Sequence, residues 1–159
     1  MNDTMQEITD PVALADDSCW FCNDSLRDAP PPGGWLIEDK HWRVGAAPAT
    51  YAIPGAVILE ARRHVLDQAA FNESERRDYA DVTGRVIGAI RASTGCDRVY
   101  QWATMDAYPH FHLWLLPWWT DSTERGPAYL SASVLNITPD ENATARAAKS
   151  IATELGATA

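Results

Sequence analysis

One run of the chain, Pro109-His110-Phe111-His112-Leu113-Trp114-Leu115-Leu116-Pro117, limits the possible folds more than any other. Its β-prone and aromatic residues read as a buried strand. Residues two apart on a strand share a face, so His110, His112 and Trp114 are expected to project together. Two imidazoles and an indole on one side of an apolar strand are costly to bury without partners. The strand is therefore expected to carry a site. Same-face neighbours stand about 6.6 Å apart, far enough for His110 to hold a metal that His112 does not touch.

Cys19-Trp20-Phe21-Cys22 is a CxxC pair with an apolar centre, and Cys96 is the third cysteine. A CxxC is commonly a redox dithiol or half of a zinc site. The redox form belongs at a strand-to-helix junction, whereas here Asn23-Asp24-Ser25 and then Ala29-Pro30-Pro31-Pro32-Gly33-Gly34 follow, which read as loop. A structural zinc needs four ligands, usually sulfur and imidazole, in a closed tetrahedron. His64 and His110 are the candidates to complete it, and the competing reading is a reduced, metal-free pair packed under the sheet. His41, between Lys40 and Trp42, is expected at the surface. Cys96, beside a helix end, is expected to be buried filler.

The chain has 159 residues and a formal net charge of −9. That length suits one domain, able to bury about 70% of its unfolded surface. The negative charge argues against a nucleic-acid-coating surface, so an anionic substrate must be met by local donors. The first residues are acidic and polar, without the basic and apolar regions of a signal peptide. No run approaches the ~18 apolar residues of a membrane helix. A CxxC with one leftover cysteine suits a reducing compartment. The expectation is a cytoplasmic protein with neither nucleic-acid nor membrane partners.

Residues 1–18 are expected to form a flexible arm and 19–159 a single domain. Trp35-Leu36-Ile37-Glu38 and His41-Trp42-Arg43-Val44 read as two strands around Asp39-Lys40. Ala56 to Ala61 reads as a third after the Pro54-Gly55 turn, with two more at about 97–104 and 110–117. Asn72-Glu73-Ser74-Glu75 has capping-box spacing. Tyr79, Val82, Val86, Ile87 and Ile90 then recur at helical spacing, and Gly95 supplies the stop. Thr138-Pro139-Asp140-Glu141 reads as a second capping box, with proline at the first helical position, opening a C-terminal helix that ends near Leu155. Strands and helices segregate, which gives an α+β class with an antiparallel sheet.

The stretch Pro54-Gly55-Ala56-Val57-Ile58-Leu59-Glu60-Ala61-Arg62-Arg63-His64, a long helix, and then Pro109 to Trp114 resemble the histidine-triad superfamily. The likeness spans roughly Cys19 to Trp119. The leading CxxC is similar to that of the zinc-containing bacterial branch and, more distantly, of galactose-1-phosphate uridylyltransferase. The resemblance implies a five-stranded antiparallel sheet packed by a long central helix and a C-terminal helix, and a homodimer that continues the sheet. It implies a structural zinc held by Cys19, Cys22, His64 and His110, with His112 as the nucleophile. The implied activity is that of a nucleotide hydrolase or nucleotidyltransferase. It would act on nucleoside polyphosphates or nucleotide sugars through a nucleotidyl-histidine. The competing reading is a non-catalytic nucleotide-binding or scaffold protein.

Trp114 stands where the family has its third histidine, a position at which the uridylyltransferases carry glutamine. Indole supplies one N–H and no titratable proton near neutrality. Trp114 is therefore expected to hold a phosphate oxygen, favouring leaving groups that depart as phosphate over amines. Arg63, and beside it Arg62, are candidates to reach phosphate by bidentate contacts, the competing reading being that alternate strand residues face solvent. The family's Asn and Gly/Ser phosphate contacts are missing from residues 100–108, and its ribose-binding acid, which would fall near Pro48, is absent. Tyr108, Trp118 and Trp119 are candidates to stack on a base, the competing reading for the tryptophans being core or dimer interface.

Overall fold

The computed structural model describes residues 17–157. Residues 1–16 of the expected arm lie outside the described residues, and Asp17 and Ser18 are exposed. The strands are β1 (Trp35–Glu38), β2 (Trp42–Ala46), β3 (Val57–Ala61), β4 (Arg98–Trp102) and β5 (His112–Trp118). The helices are α1 (Glu73–Thr94), α2 (Pro127–Val134) and α3 (Glu141–Ala157). Every pairing is antiparallel, in the order β1-β2-β3-β5-β4. This is the expected α+β architecture.

Strand register decides which side chains meet. Val44, Leu59 and Leu113 stand abreast across β2, β3 and β5. They face α1 and α3, packing with Val82, Val86, Ile90, Ile151 and Leu155 in one apolar layer. The neighbouring row, Arg43, Glu60 and His112, points to the opposite face because side chains alternate along a strand. Two positions along the strands, Gly45, Ile58, Trp114 and Trp102 align on that same face. The sheet thus has a dry, helix-covered side and a second side that assembles polar and aromatic groups. Gly45 is needed there: a Cβ at this position would meet the Pro31 ring at 2.7 Å, so only glycine lets the proline loop lie on the sheet.

Helix α1 begins as expected. The Asn72 side chain accepts from the Glu75 N–H at 2.9 Å, and the Glu75 carboxylate accepts from the Asn72 N–H at 2.8 Å. Gly95 closes the helix in the left-handed region at φ 66°. Helix α3 departs from expectation: its cap is Asp140, whose Oδ1 accepts from the Ala143 N–H at 2.8 Å. Thr138 and Pro139 therefore precede the helix. A single carboxylate two residues later made the better cap.

Helix α2 was not legible in the chain, because its Ser- and Ala-rich turns carry no sustained apolar stripe. It is held by tertiary contacts. Leu130 and Val134 pack against the cluster of Ala47, Ala52, Ala56 and Leu116, the Tyr129 hydroxyl donates to the Pro117 carbonyl, and the Ser133 carbonyl accepts from the Ile53 N–H. His41 also departs from its expected place. Its side chain is 10% exposed and faces Asp78 at 3.5 Å. Cys96 is buried in the helix-side core, as expected. Among the described residues, no helix is long and apolar enough to cross a membrane.

The α1 cap yields a direct test. Asn72→Ala is expected to lower stability to urea by about 1 kcal/mol, read from the shift in unfolding midpoint at unchanged slope.

Candidate functional site

The four expected ligands converge. The Cys19–Cys22 turn closes on itself through N–H bonds from Cys22 and Asn23 to the Cys19 carbonyl. It lies over the end of β3 and the approach to β5, where His64 and His110 are buried. His110 Nδ1 stands 3.5 Å from Cys19 Sγ, 3.4 Å from Cys22 Sγ and 3.2 Å from His64 Nδ1, and Cys22 Sγ is 3.2 Å from His64 Nδ1. All four donor atoms lie within 4.8 Å of one another. A tetrahedral zinc with ordinary Zn–N and Zn–S bonds sets N···N near ~3.3 Å and S···N near ~3.6 Å. The observed separations match that shell.

The protonation chemistry agrees. His110 Nε2–H donates to the Ala61 carbonyl at 2.7 Å, which leaves Nδ1 as the lone pair aimed at the cluster. Burial pushes the His110 pKa down to about 4, so the ring is neutral, the form that binds metal. Two imidazole nitrogens and two sulfurs this close form a donor set that a metal cation would bridge. The set fits a closed structural zinc, with no position left to activate water.

A buried ionic cluster ties this turn to the sheet. Glu60, 2% exposed, receives Arg27 at 2.6 Å and Arg43 at 2.7 Å. Arg43 also bonds Asp24 at 3.0 Å and donates to the Phe21 carbonyl, inside the CxxC, at 3.0 Å. Burial pushes the Glu60 pKa up, against the pull of both guanidinium groups. Arg27 lies over the Trp20 ring at 4.1 Å and near Trp35 at 5.1 Å. No local pattern names these partners, although a lone acid in the apolar run Val57-Ile58-Leu59-Glu60-Ala61 is a signal that a buried cation meets it.

His112 opens β5, while His110 precedes it, so the strand starts two residues later than expected. Phe21 stacks on both imidazoles, with centroids 5.2 Å from His110 and 4.6 Å from His112, so the two do share a side. His112 Nδ1–H donates to the His110 carbonyl at 2.8 Å. That bond fixes the tautomer and leaves Nε2 as the lone pair. Burial lowers the His112 pKa, opposed by this bond and by Asp106.

His112 lines a cavity of about 340 Å³ together with Trp20, Phe21, Trp102, Tyr108 and Trp114. Trp102 and Trp114 sit directly across the β4–β5 pair, ring centroids 6.2 Å apart, and leave the cavity open beside His112. A second cavity of about 390 Å³ adjoins it, walled by Pro30, Pro31, Pro32 and Trp35. The two share Trp20, Thr50, Tyr51 and Ile58.

The remaining candidates divide. Trp114 and Tyr108 line the His112 cavity. Arg63 does not: it forms a bidentate pair with Glu75 at 2.9 and 2.7 Å and donates to the Ala70 carbonyl. Its charge is spent on the α1 capping box. Arg62 is exposed near Glu38 at 3.7 Å. Trp118 and Trp119 donate their indole N–H groups to the Glu124 and Thr94 carbonyls and serve packing. Trp20, Tyr51, Trp102 and Asp106, which also line the cavity, carry no local sequence signal, since only the fold brings their loops together.

No family model matches the chain, and no curated protein matches it. Solved structures do. A histidine-triad nucleotide-binding protein of Sulfolobus tokodaii, described as hypothetical, aligns at 15% identity over 87% of this chain and 93% of its own, with TM-score 0.64. A Hit-like protein of Bartonella henselae, described as involved in cell-cycle regulation, aligns at 14% identity over 89% and 99%, with TM-score 0.66. A zinc-bound histidine-triad family protein of Mycobacterium smegmatis aligns at 19% identity over 89% and 95%, with TM-score 0.61. Sheet order, metal cluster and these likenesses agree: the chain has the histidine-triad fold.

Proposed function

We propose that this protein is a zinc-stabilised nucleotidyl-transfer or nucleotide-hydrolysing enzyme in which His112 is the nucleophile. The observation that carries this reading is the His112 tautomer. Nδ1–H is committed to the His110 carbonyl, and the ring lines a cavity with Nε2 free to attack. The zinc site supports it from behind, by holding His110 and the Phe21 ring that stacks on His112. The zinc-bound relative and the nucleotide-binding one point the same way.

In the proposed reaction the nucleoside occupies the proline-walled cavity and its phosphorus lies at His112. The Nε2 lone pair forms a bond to the α-phosphorus as the bond from phosphorus to the bridging oxygen breaks. The leaving group departs as a phosphate and needs no proton, which suits the indole of Trp114. Water then cleaves the P–N bond, giving the nucleoside monophosphate, releasing a proton to solvent and restoring His112. No lysine or arginine lines the His112 cavity among the described residues. A substrate of low net charge, such as a nucleoside diphosphate ester, suits it better than a long polyphosphate.

Two measurements test these assignments. Protein purified without chelator is expected to carry close to one zinc per chain. Cys19→Ser should lose the metal and unfold at lower urea, because a structural zinc contributes folding free energy. Zinc-free protein that is folded and equally stable would overturn the metal assignment. Brief mixing with nucleoside diphosphate esters or dinucleoside polyphosphates should add one nucleotidyl mass to the intact chain. His112→Ala should abolish that adduct and reduce turnover below about one hundredth. Full turnover in His112→Ala sinks the nucleophile assignment, and binding without any adduct leaves a non-catalytic nucleotide-binding protein.

A further inference from the structure

Away from the His112 ring, the wall of this cavity offers an anion no charged partner and suits an organic cation. Six aromatic side chains line it, of which Trp20 already carries Arg27 over its ring and Phe21 stacks on His110 and His112, leaving Tyr51, Trp102, Tyr108 and Trp114 for a ligand. Its one carboxylate is Asp106, and no guanidinium or ammonium faces it among the described residues. Asp106 is held as an acceptor by the Thr104 hydroxyl at 2.6 Å and the Ala107 N–H at 2.8 Å. Those bonds keep its carboxyl below the usual carboxylate range, so it is charged at neutral pH. Tyr51 and Tyr108 are each about half exposed, at 47% and 55%, and stand where a ligand enters. Aromatic faces carry negative potential, and a cation desolvated among several of them is stabilised while an anion is not. A neutral ring would fill the same space without gaining from Asp106.

We propose that this cavity binds an alkylated ammonium group, with the aromatic rings around its methyl groups and Asp106 as its counter-charge. The charge balance of the reaction gives this cation a place. A nucleoside diphosphate esterified to a quaternary amino alcohol brings its own positive charge to a pocket that has none. Attack by His112 Nε2 on the α-phosphorus would then release the phosphorylated amino alcohol, which departs as a phosphate without a proton. That substrate class rests on the reaction proposed above; the cation site does not.

The test uses the zinc-loaded full chain and calorimetric titration with choline, its uncharged isostere 3,3-dimethyl-1-butanol, and inorganic phosphate. Choline is expected to bind roughly 10-fold more tightly than the isostere, the scale of a desolvated cation–π contact, and phosphate should not compete. Asp106→Asn and Trp102→Leu should each shrink the ratio of choline to isostere affinity. Asp106 is exposed, so its variant is expected to fold even where the tryptophan variant does not. Equal affinity for choline and the isostere, preference for phosphate, absence of choline binding, or an unchanged ratio in Asp106→Asn would each overturn the cation site.

A second arm separates this idea from the reaction. His112→Ala should lose the nucleotidyl adduct, and choline binding is read separately in the unaltered protein. Cytidine diphosphate esters of choline and of glucose are then compared by kcat/KM in the unaltered protein. A preference for the choline ester supports the substrate class, and a preference for the glucose ester overturns it with the reaction intact. Choline binding with no adduct from either ester would overturn the reaction and leave the cation site standing.

Discussion

The convergence of Cys19, Cys22, His64 and His110 is the constraint on which the rest of this molecule depends. It joins an irregular turn to the end of β3 and to the approach to β5, three segments that local propensity would never bring together. The four donors leave no room for a second job, since a closed tetrahedral metal offers no open position. What the cluster does offer is placement. It puts the CxxC turn over β3 and β5, so that Phe21 lies against His110 and His112. The backbone carbonyl of His110 then receives His112 Nδ1–H, so a metal ligand and the neighbouring imidazole are oriented by one short segment.

The sheet divides labour between its faces. On the helix side, Val44, Leu59, Leu113 and their partners in α1 and α3 provide the apolar burial that holds the fold. On the other side the register lines up Arg43, Glu60 and His112, then Ile58, Trp114 and Trp102. Burying Glu60 there is expensive unless it is fully paired. Arg27 and Arg43 pair it, and in doing so they bind the metal-binding turn from outside, through Phe21 and the Trp20 ring. Stability and site geometry are thus coupled through the same charged groups. The cavity inherits its aromatic wall from this arrangement, and with it a preference for positive over negative charge.

Much of the frame was legible in the chain. Asn72 to Gly95 carried cap, stripe and stop in order, and α1 occupies that span because those signals are local. The strands were legible for the same reason, though β5 starts at His112 and not His110, since a metal ligand held by Ala61 leaves the ladder. Thr138 lost the α3 cap to Asp140, a choice between two adequate caps that sequence does not rank. Helix α2 carries no local signal because packing on Ala47, Ala52, Ala56 and Leu116, not propensity, makes it a helix.

By itself the sequence determined the α+β class and the candidate metal donors, because spacing and residue chemistry carry that information directly, while the full ligand set and the role of His112 came from the histidine-triad resemblance. Tertiary structure decided where the charges went. Arg63, beside His64 in the chain, faces a helix cap because Glu75 reaches it first and binds it at two points. His41 is largely buried because Asp78 on α1 comes to meet it. Trp20, Tyr51, Trp102, Asp106 and Tyr108 come from four separate loops or strand ends, and only folding makes them one wall. Residue type sets what a side chain is able to bind. Which partner it meets depends on register and loop placement, and those follow from long-range packing that no local pattern encodes.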